Sequence, residues 1–541
     1  MDLGTWGSLL LTLLPIAVIL GMLIIWKKPA DVSGIVGWLV ISVIAVFFFK
    51  TSLEVIGRST IAGFVKSFPV SLIVATSLLQ MAFMEKTGAL KRVIIFIKTI
   101  ASENKAVQIM MISIGFGTLM VAVGATPVSI LPPILIAMGY STYVAIALPA
   151  IGYDSLCTYA LLGAPVVVFY DMANGFIKQN QLGPELTLAQ IGSIFFMFLP
   201  VVSTMIGFCM LWIVGKWNAI KQGWLPCLIT GFVIGVVSFF TNKFENLVTL
   251  TGVLCGLAVI VAMVIYLLVT GKKIIDRSKL SKEELDYEKK FPLWKALTPW
   301  FLLIILILAL NMPKDMFNYL YKEMTLPIKG LSANFKEEIK TRVLWNAYTW
   351  IFVSTILSMI FIRPTGKQIK ETLQVWKKRA PRPIFSAAIF FAIGEIMNMS
   401  GFNIAEQKNV VDSMVVVLAN FSSDVFKGAY GAIVGFIGLF GGFITGSEAS
   451  TIGMFAKYTM ATAKNLGHGI TGLVIITAAL AFGGGLASVI SPAKLQNAAA
   501  SIDKLGEENS VIKVAFVFSL ILTAVTSVFA LILLSTVKSL I

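Results

Sequence analysis

Thr445–Gly446–Ser447–Glu448–Ala449–Ser450–Thr451 lies in the middle of an apolar run, residues 428–466, that is too long for one membrane crossing and is broken at its centre by this polar turn. An upstream run, 106–138, is interrupted in the same way by Gly124–Ala125–Thr126–Pro127–Val128–Ser129, and Pro127, Pro132 and Pro133 deny it a continuous helix. Non-helical backbone at bilayer depth survives only where protein or enclosed water satisfies its polar groups. Both runs are therefore expected to be re-entrant hairpins, each entering the membrane and leaving on its own side.

The rest of the chain supplies the membrane protein around them. Of 541 residues, 57% are hydrophobic and only 13% are charged, where a soluble domain carries about 25% charged residues. A crossing helix needs roughly 20 mostly apolar residues. Full spans are expected near 6–26, 34–49, 69–85, 142–171, 189–214, 223–240, 247–270, 294–313, 343–362, 383–401, 467–501 and 511–536. The first reads as an uncleaved span, because Asp2 precedes it and the basic pair Lys27–Lys28 follows it, the reverse of a secretion signal. The fold class is thus all-α and polytopic, with about 12 transmembrane helices plus two re-entrant hairpins.

Charge orients this layout. With the N-terminus outside and each hairpin returning to its own side, the inside segments hold 24 Lys and Arg and the outside segments 14, the bias that topology requires. The basic loop 314–342 falls outside and runs against the trend. The formal charge of +16 sits in short loops between apolar runs, so it argues for membrane topology and not for nucleic acid.

The halves match. The span after each hairpin has its own interruption, Gly163–Ala164–Pro165 in one case and Gly483–Gly484–Gly485 through Ser491–Pro492 in the other. Gly124 precedes Gly163 by 39 residues, and Gly446 precedes Gly485 by 39. Opposite orientation and equal spacing are the signature of inverted repeats whose broken helices meet at the midplane. The first repeat is expected over 1–214 with its hairpin at 106–138, and the second over 294–541 with its hairpin at 428–466. Residues 215–293 would be connecting spans and a basic loop with a short helix capped by Ser281.

The turns carry the residues suited to chemistry. Thr445, Gly446, Ser447, Ser450 and Thr451 offer hydroxyls and free amides, which favour an anion at a half-helix N-terminus. Gly124, Thr126 and Ser129 are the counterpart in the first half. Ser488 and Ser491 complete the expected site from the second broken span. Glu448, Asp154 and Glu395 are acids inside apolar runs, where a charge costs at least about 2.5 kcal/mol, and such acids are ion- or proton-coupling candidates. The bland alternatives are a kink that satisfies its own polar groups and an Asp or Glu held in an ion pair. Lys457 and Lys494 would neutralise Glu448, attract an anion or snorkel to an interface.

Several chemistries are set aside. The one histidine, His468, lies at a Gly467–His468–Gly469 turn, and Cys157, Cys209, Cys227 and Cys255 fall in apolar runs with no metal-ligand spacing. No metal or cofactor is expected, and no phosphate-binding Gly-Lys-Ser/Thr loop is present.

At these residues the chain resembles the L-lactate permease family of lactate and glycolate transporters. Gly435–Phe436–Ile437–Gly438 leading into Thr445–Gly446–Ser447–Glu448–Ala449–Ser450 is similar to that family's Thr-Gly-Ser-acid-Xaa-Ser segment. Gly484–Gly485, Ile490–Ser491–Pro492 and Asn398–Met399–Ser400–Gly401 resemble its Gly-Gly, Ile-Ser-Pro and Asn-Tyr-Ser-Gly motifs, and Gly124–Ala125 and Gly163–Ala164–Pro165 fall where it has Gly-rich turns. Two charged positions depart from the pattern. The first turn, Ala122–Val123–Gly124–Ala125–Thr126–Pro127–Val128, lacks the family's acid, and Ser488 stands where a lysine is common. The resemblance implies a carboxylate permease.

The expected function is a multi-pass plasma-membrane transporter, not an enzyme, that moves a small organic anion by alternating access. The anion is a lactate-like monocarboxylate carried with protons, or alternatively with sodium. A membrane-embedded enzyme and a non-transporting receptor are the rival classes.

Overall fold

Each apolar run becomes a helix where expected. The computed structural model describes residues 4–101, 103–125, 127–335, 337–504 and 506–539. Among them, 11 helices are long and apolar enough to cross a membrane, and the only strands are two short antiparallel pairs, Pro327–Lys329 with Glu338–Lys340 and Phe402–Asn403 with Lys408–Asn409. The protein is an all-α polytopic membrane protein. The helical stretch Leu188–Lys243 breaks at Gly215–Lys216, where Lys216 takes φ 49°, and so makes the two spans expected there. Ser281 and Glu284 form the expected capping box on Lys282–Lys290.

Among the described residues, helices also form where loops were expected. Leu53–Lys66, Ala89–Lys98, Gly366–Arg379 and Met414–Phe426 occupy segments read as loops. In Ala89–Lys98, for example, buried apolar residues recur at helical spacing among charged ones, as Ala89, Val93 and Ile97. A search for unbroken apolar runs passes over such amphipathic helices.

The first interrupted run is a helical hairpin. Its outgoing arm runs through Lys105–Ile109, a wider-wound stretch Met110–Phe116, and Gly117–Ala122. The chain turns at Gly124, φ 89°, and returns as Pro127–Ala137. Its two ends come together: Tyr140 Oη donates to Gln108 Oε1 at 3.0 Å, and Gln108 Nε2 donates to the Ile100 carbonyl at 2.9 Å. The second hairpin, Tyr430–Thr445 and Glu448–Asn465 joined at Gly446, closes the same way. Asn465 Nδ2 donates to Asn420 Oδ1 at 2.8 Å, and Tyr458 hydrogen-bonds Ser422 at 2.8 Å.

One broken span links the bases of the two hairpins. From Tyr140, beside the first hairpin's base, the chain runs through Thr142–Gly152, a tight turn Tyr153–Tyr159 and Ala160–Asn180. It ends at Asn180, whose Oδ1 accepts from Lys464 at the base of the second hairpin, 2.8 Å away. This broken span carries three consecutive residues with positive φ: Leu161, Leu162 and Gly163, at 52°, 54° and 76°. Left-handed backbone costs roughly 1–2 kcal/mol at each leucine, so the surrounding packing must hold it. In the second broken span the helix Ile470–Leu486 contains Gly483, Gly484 and Gly485 as ordinary helical residues. The interruption is confined to the later part of the expected stretch, Ala487–Ile490, and is followed by Pro492–Ala500.

Those glycines serve packing. A Cβ at Gly438 would lie 2.0 Å from the Leu480 carbonyl oxygen, one at Gly442 would lie 2.1 Å from the Gly484 oxygen, and one at Gly483 would lie 1.9 Å from the Gly435 oxygen. The second hairpin and second broken span thus touch backbone to backbone, the small-residue packing that lipid-embedded helices use. Outer helices face away from this core: 28% of the first span's window is buried, against 83% for Lys105–Ala122 and for Ser155–Asn180. The irregular backbone is therefore enclosed by protein, as the bilayer demands.

Gly438→Ala should lower the detergent-phase unfolding temperature, an overpacking cost of about 1–3 kcal/mol. Gly57→Ala, on a helix where a Cβ meets nothing within 4 Å, should leave it unchanged or raise it. Equal melting curves for the two variants would refute the close helix contact.

Candidate functional site

The tip of the second hairpin is built from its own small residues. Ser447 caps the helix Glu448–Asn465 by accepting from the Ser450 amide. Thr445 Oγ1 and Thr451 Oγ1 donate to the Ser447 carbonyl at 2.9 and 2.8 Å and lie 3.1 Å from each other. These hydroxyls hold the turn open, with Gly446 at φ 71° and empty space where its side chain would be. Gly446 and Ser447 are half-buried, while Ser450 Oγ is buried with no hydrogen-bond partner among the described residues. An orphaned buried hydroxyl at an open tip is what a bound ligand would satisfy.

Glu448 ties this tip to the other half of the chain. Its side chain is 4% exposed. Thr158 Oγ1 donates to its Oε1 at 2.8 Å, and Cys157 Sγ donates to its Oε2. Both donors come from the turn Tyr153–Tyr159 in the first broken span. Gly485 completes the fit, because a Cβ there would lie 2.6 Å from Glu448 Oε2. The second hairpin, the first broken span and the second broken span thus meet at one carboxylate. Lys494 lies on the helix Pro492–Ala500 that follows the second interruption.

The first hairpin reaches the same turn from its own side. Thr118 Oγ1 lies 3.1 Å from Ser155 Oγ, and a Cβ on Gly152 would lie 3.0 Å from the Ser113 carbonyl oxygen. Ser113 Oγ, like that of Ser450, is buried without a partner among the described residues. Gly124 packs against Ser77, with its Cβ position 2.7 Å from Ser77 Cβ. Thr126 lies outside the described residues, as do the side chains of Ser129, Asp154 and Ser488. Ser491 is buried at the start of Pro492–Ala500.

Glu395 is set apart from Glu448. It sits in a four-charge cluster: Lys66 Nζ lies 2.9 Å from its Oε1 and Lys457 Nζ 3.6 Å from its Oε2, while Lys66 also pairs with Glu337 Oε1 at 2.7 Å. Lys457 therefore pairs with Glu395, a partner not among the alternatives expected for that lysine. The cluster joins Leu53–Lys66, the loop before Glu338–Lys340, the helix Pro381–Met399 and the second hairpin. Burial opposes the charge on the Glu337 carboxylate, but Lys66 and Lys457 prevail and bring its pKa down to about 2.

Lys66, Glu337 and Lys457 line a cavity of about 540 Å³ that also receives Asp171, Arg342 and Asn398. Arg342, 2% exposed, is fixed by Asp171 Oδ1 and Oδ2 at 3.0 and 3.1 Å and by the Tyr321 carbonyl at 3.1 Å. Its guanidinium lies 4.5 Å from the centre of the Tyr321 ring. Nine residues of helix separate Lys457 from Glu448, about 14 Å, so the hairpin tip and this cluster lie at different levels of the second hairpin. The basic loop 314–342, which ran against the topology trend, contributes Arg342 and Glu337 to the vestibule wall.

Sequence reading missed Cys157 and Thr158 because a Cys and a Thr in an apolar run carry no signal until their partner is known. It also missed Lys66, Asp171, Glu337 and Arg342, which stood in segments read as loops or span ends. His468 is at a turn as expected, half-buried, and burial lowers its pKa.

The L-lactate permease family model matches residues 8–537. Glycolate permease GlcA of Escherichia coli is 22% identical, with 98% of this chain and 96% of that protein covered. L-lactate permease of Escherichia coli is 21% identical over 97% of this chain and 95% of its own, and that of Bacillus subtilis is 22% identical over 95% and 94%. Among solved structures, Neisseria gonorrhoeae MtrF aligns over 88% of this chain and 82% of its own at 12% identity and a TM-score of 0.42. A polytopic chain that encloses broken helices around one buried carboxylate, matched along nearly its whole length, belongs to the L-lactate permease family and is a membrane transporter of small carboxylates, not an enzyme.

Proposed function

We propose that this transporter moves a lactate-like monocarboxylate together with a proton, by alternating access across the plasma membrane, with its N-terminus outside. The observation that carries this reading is the buried Glu448 carboxylate, held by Cys157 and Thr158 where broken segments of both halves meet. A carboxylate at bilayer depth is costly when charged. A proton removes that cost, so taking one up and releasing it alters the stability of the contact between the halves. Asp154, in the same turn as Cys157 and Thr158, is the second proton carrier in this proposal. Glu395 is held by two ammonium groups and acts in charge pairing.

In this reading the substrate lies between the turns 124–129 and 445–451. The orphaned Ser450 hydroxyl, the open space beside Gly446 and the hydroxyls of Thr126, Ser129, Ser447, Ser488 and Ser491 would hold its carboxylate. The two hairpins are re-entrant and belong to inverted repeats, 1–214 and 294–541, linked by 215–293. Rocking one half-set of helices against the other would then expose the tips to each side in turn. Sodium coupling is the second reading, since hydroxyls and the free carbonyls of broken helices suit that ion too.

Proteoliposomes should accumulate labelled L-lactate or glycolate when an inward proton gradient is imposed, with no change when choline replaces sodium at fixed pH. Loss of uptake in choline would transfer the coupling to sodium.

Glu448→Gln should abolish gradient-driven accumulation while substrate counterflow between loaded and unloaded faces persists. Full accumulation by a Glu448→Gln, Asp154→Asn double variant would end the proton-carrier assignment.

A further inference from the structure

The vestibule cluster has a charge arrangement that the hairpin tips do not share. Lys66 and Lys457 are two ammonium groups, and Glu395 is the carboxylate they share. Glu395 lies within a transmembrane helix, 4% exposed, with its backbone locked by Gly394 packing on Gly453 and Met454. That fixed trio carries one excess positive charge. Glu337 supplies the balancing negative charge, and it differs from Glu395 in every respect that matters for exchange. It comes from an extramembrane loop, its side chain is 25% exposed, and it faces an open cavity of about 540 Å³.

We propose that Glu337 is a built-in stand-in for the substrate carboxylate, and that Lys66, backed by Lys457, is a first binding station for a small monocarboxylate in the vestibule. An incoming carboxylate takes the place of Glu337 on Lys66, leaving the cluster neutral. The buried ammonium is never left without a carboxylate during the exchange, and stranding a buried charge is what makes breaking such a pair costly. The displaced Glu337 swings with its loop into the vestibule, where Lys340 and Lys408 line the wall. The ligand class follows from the vacancy: one carboxylate fits, because the second unit of positive charge is already matched by Glu395. This inference rests on the transport reading for the identity of the anion, but not for the exchange itself.

The test uses the full chain in detergent with glycolate and L-lactate as probes, read as thermal stabilisation against ligand concentration. Glu337→Gln removes the internal competitor. It should bind glycolate more tightly, by about tenfold if one charge-assisted hydrogen bond is at stake. Lys66→Gln should weaken binding by a similar factor. The double variant Lys66→Gln, Glu337→Gln restores charge balance and should recover the melting temperature but not the affinity. Unchanged or weaker glycolate binding by Glu337→Gln would overturn the proposal, as would wild-type affinity in the double variant, since either makes the pair purely structural. If Glu337→Gln cannot be recovered folded, Glu337→Asp, which withdraws the carboxylate by one methylene, decides on the same criterion. Wild-type protein that binds glycolate but does not carry it across vesicles would sink the transport reading alone. Wild-type transport with no effect of Glu337→Gln on binding would sink only the exchange.

Discussion

A carboxylate at the centre of an apolar protein must be held by donors, and the position of those donors organises this molecule. Glu448 receives them from Cys157 and Thr158, residues nearly 300 positions away in sequence. Their turn is available only because the first broken span abandons helical geometry between Tyr153 and Gly163. A continuous helix there would direct those groups into its own backbone ladder. The strain at Leu161 and Leu162 is thus local backbone cost at a functional junction, offset by the interaction it permits.

That junction in turn requires close approach. Lipid offers no hydrophobic drive for helices to associate, so contact depends on van der Waals fit. Gly438, Gly442 and Gly483 bring the second hairpin against the second broken span, and Gly485 leaves room for the Glu448 carboxylate. Glycine at these contacts is a packing residue within a helix and not a hinge, which explains why the break expected from Gly483 through Pro492 begins only after the glycines, at Ala487–Ile490.

The span positions were legible because long apolar runs have few alternatives, and the two interruptions were legible because polar residues and prolines in such runs are expensive. The amphipathic helices were not, since Ala89–Lys98 and Gly366–Arg379 contain enough charge to read as loop. Glu448 could be picked out as a lone acid in an apolar run. Its donors could not, because Cys157 and Thr158 acquire meaning only through a contact across the fold. Glu395 was legible as a buried acid, but its partners fixed its role: Lys66 and Lys457 lie on helices that sequence alone does not juxtapose. Thr126 and the side chains of Ser129, Asp154 and Ser488 lie outside the described residues, so that part of the expected site stays a proposal.

The two anion-attracting regions differ in kind, and the difference suits transport. In the vestibule Lys66 and Lys457 are already matched by carboxylates, so in the proposed exchange an arriving anion swaps partners with Glu337 and is not trapped by bare charge. The hairpin tip, about 14 Å away along the second hairpin, offers hydroxyls, amides and a carboxylate able to accept a proton. A permeating ion needs sites attractive enough to enter and weak enough to leave. A balanced ion cluster followed by neutral donors meets both conditions, whereas an unmatched lysine at the tip would hold the substrate and stall the cycle.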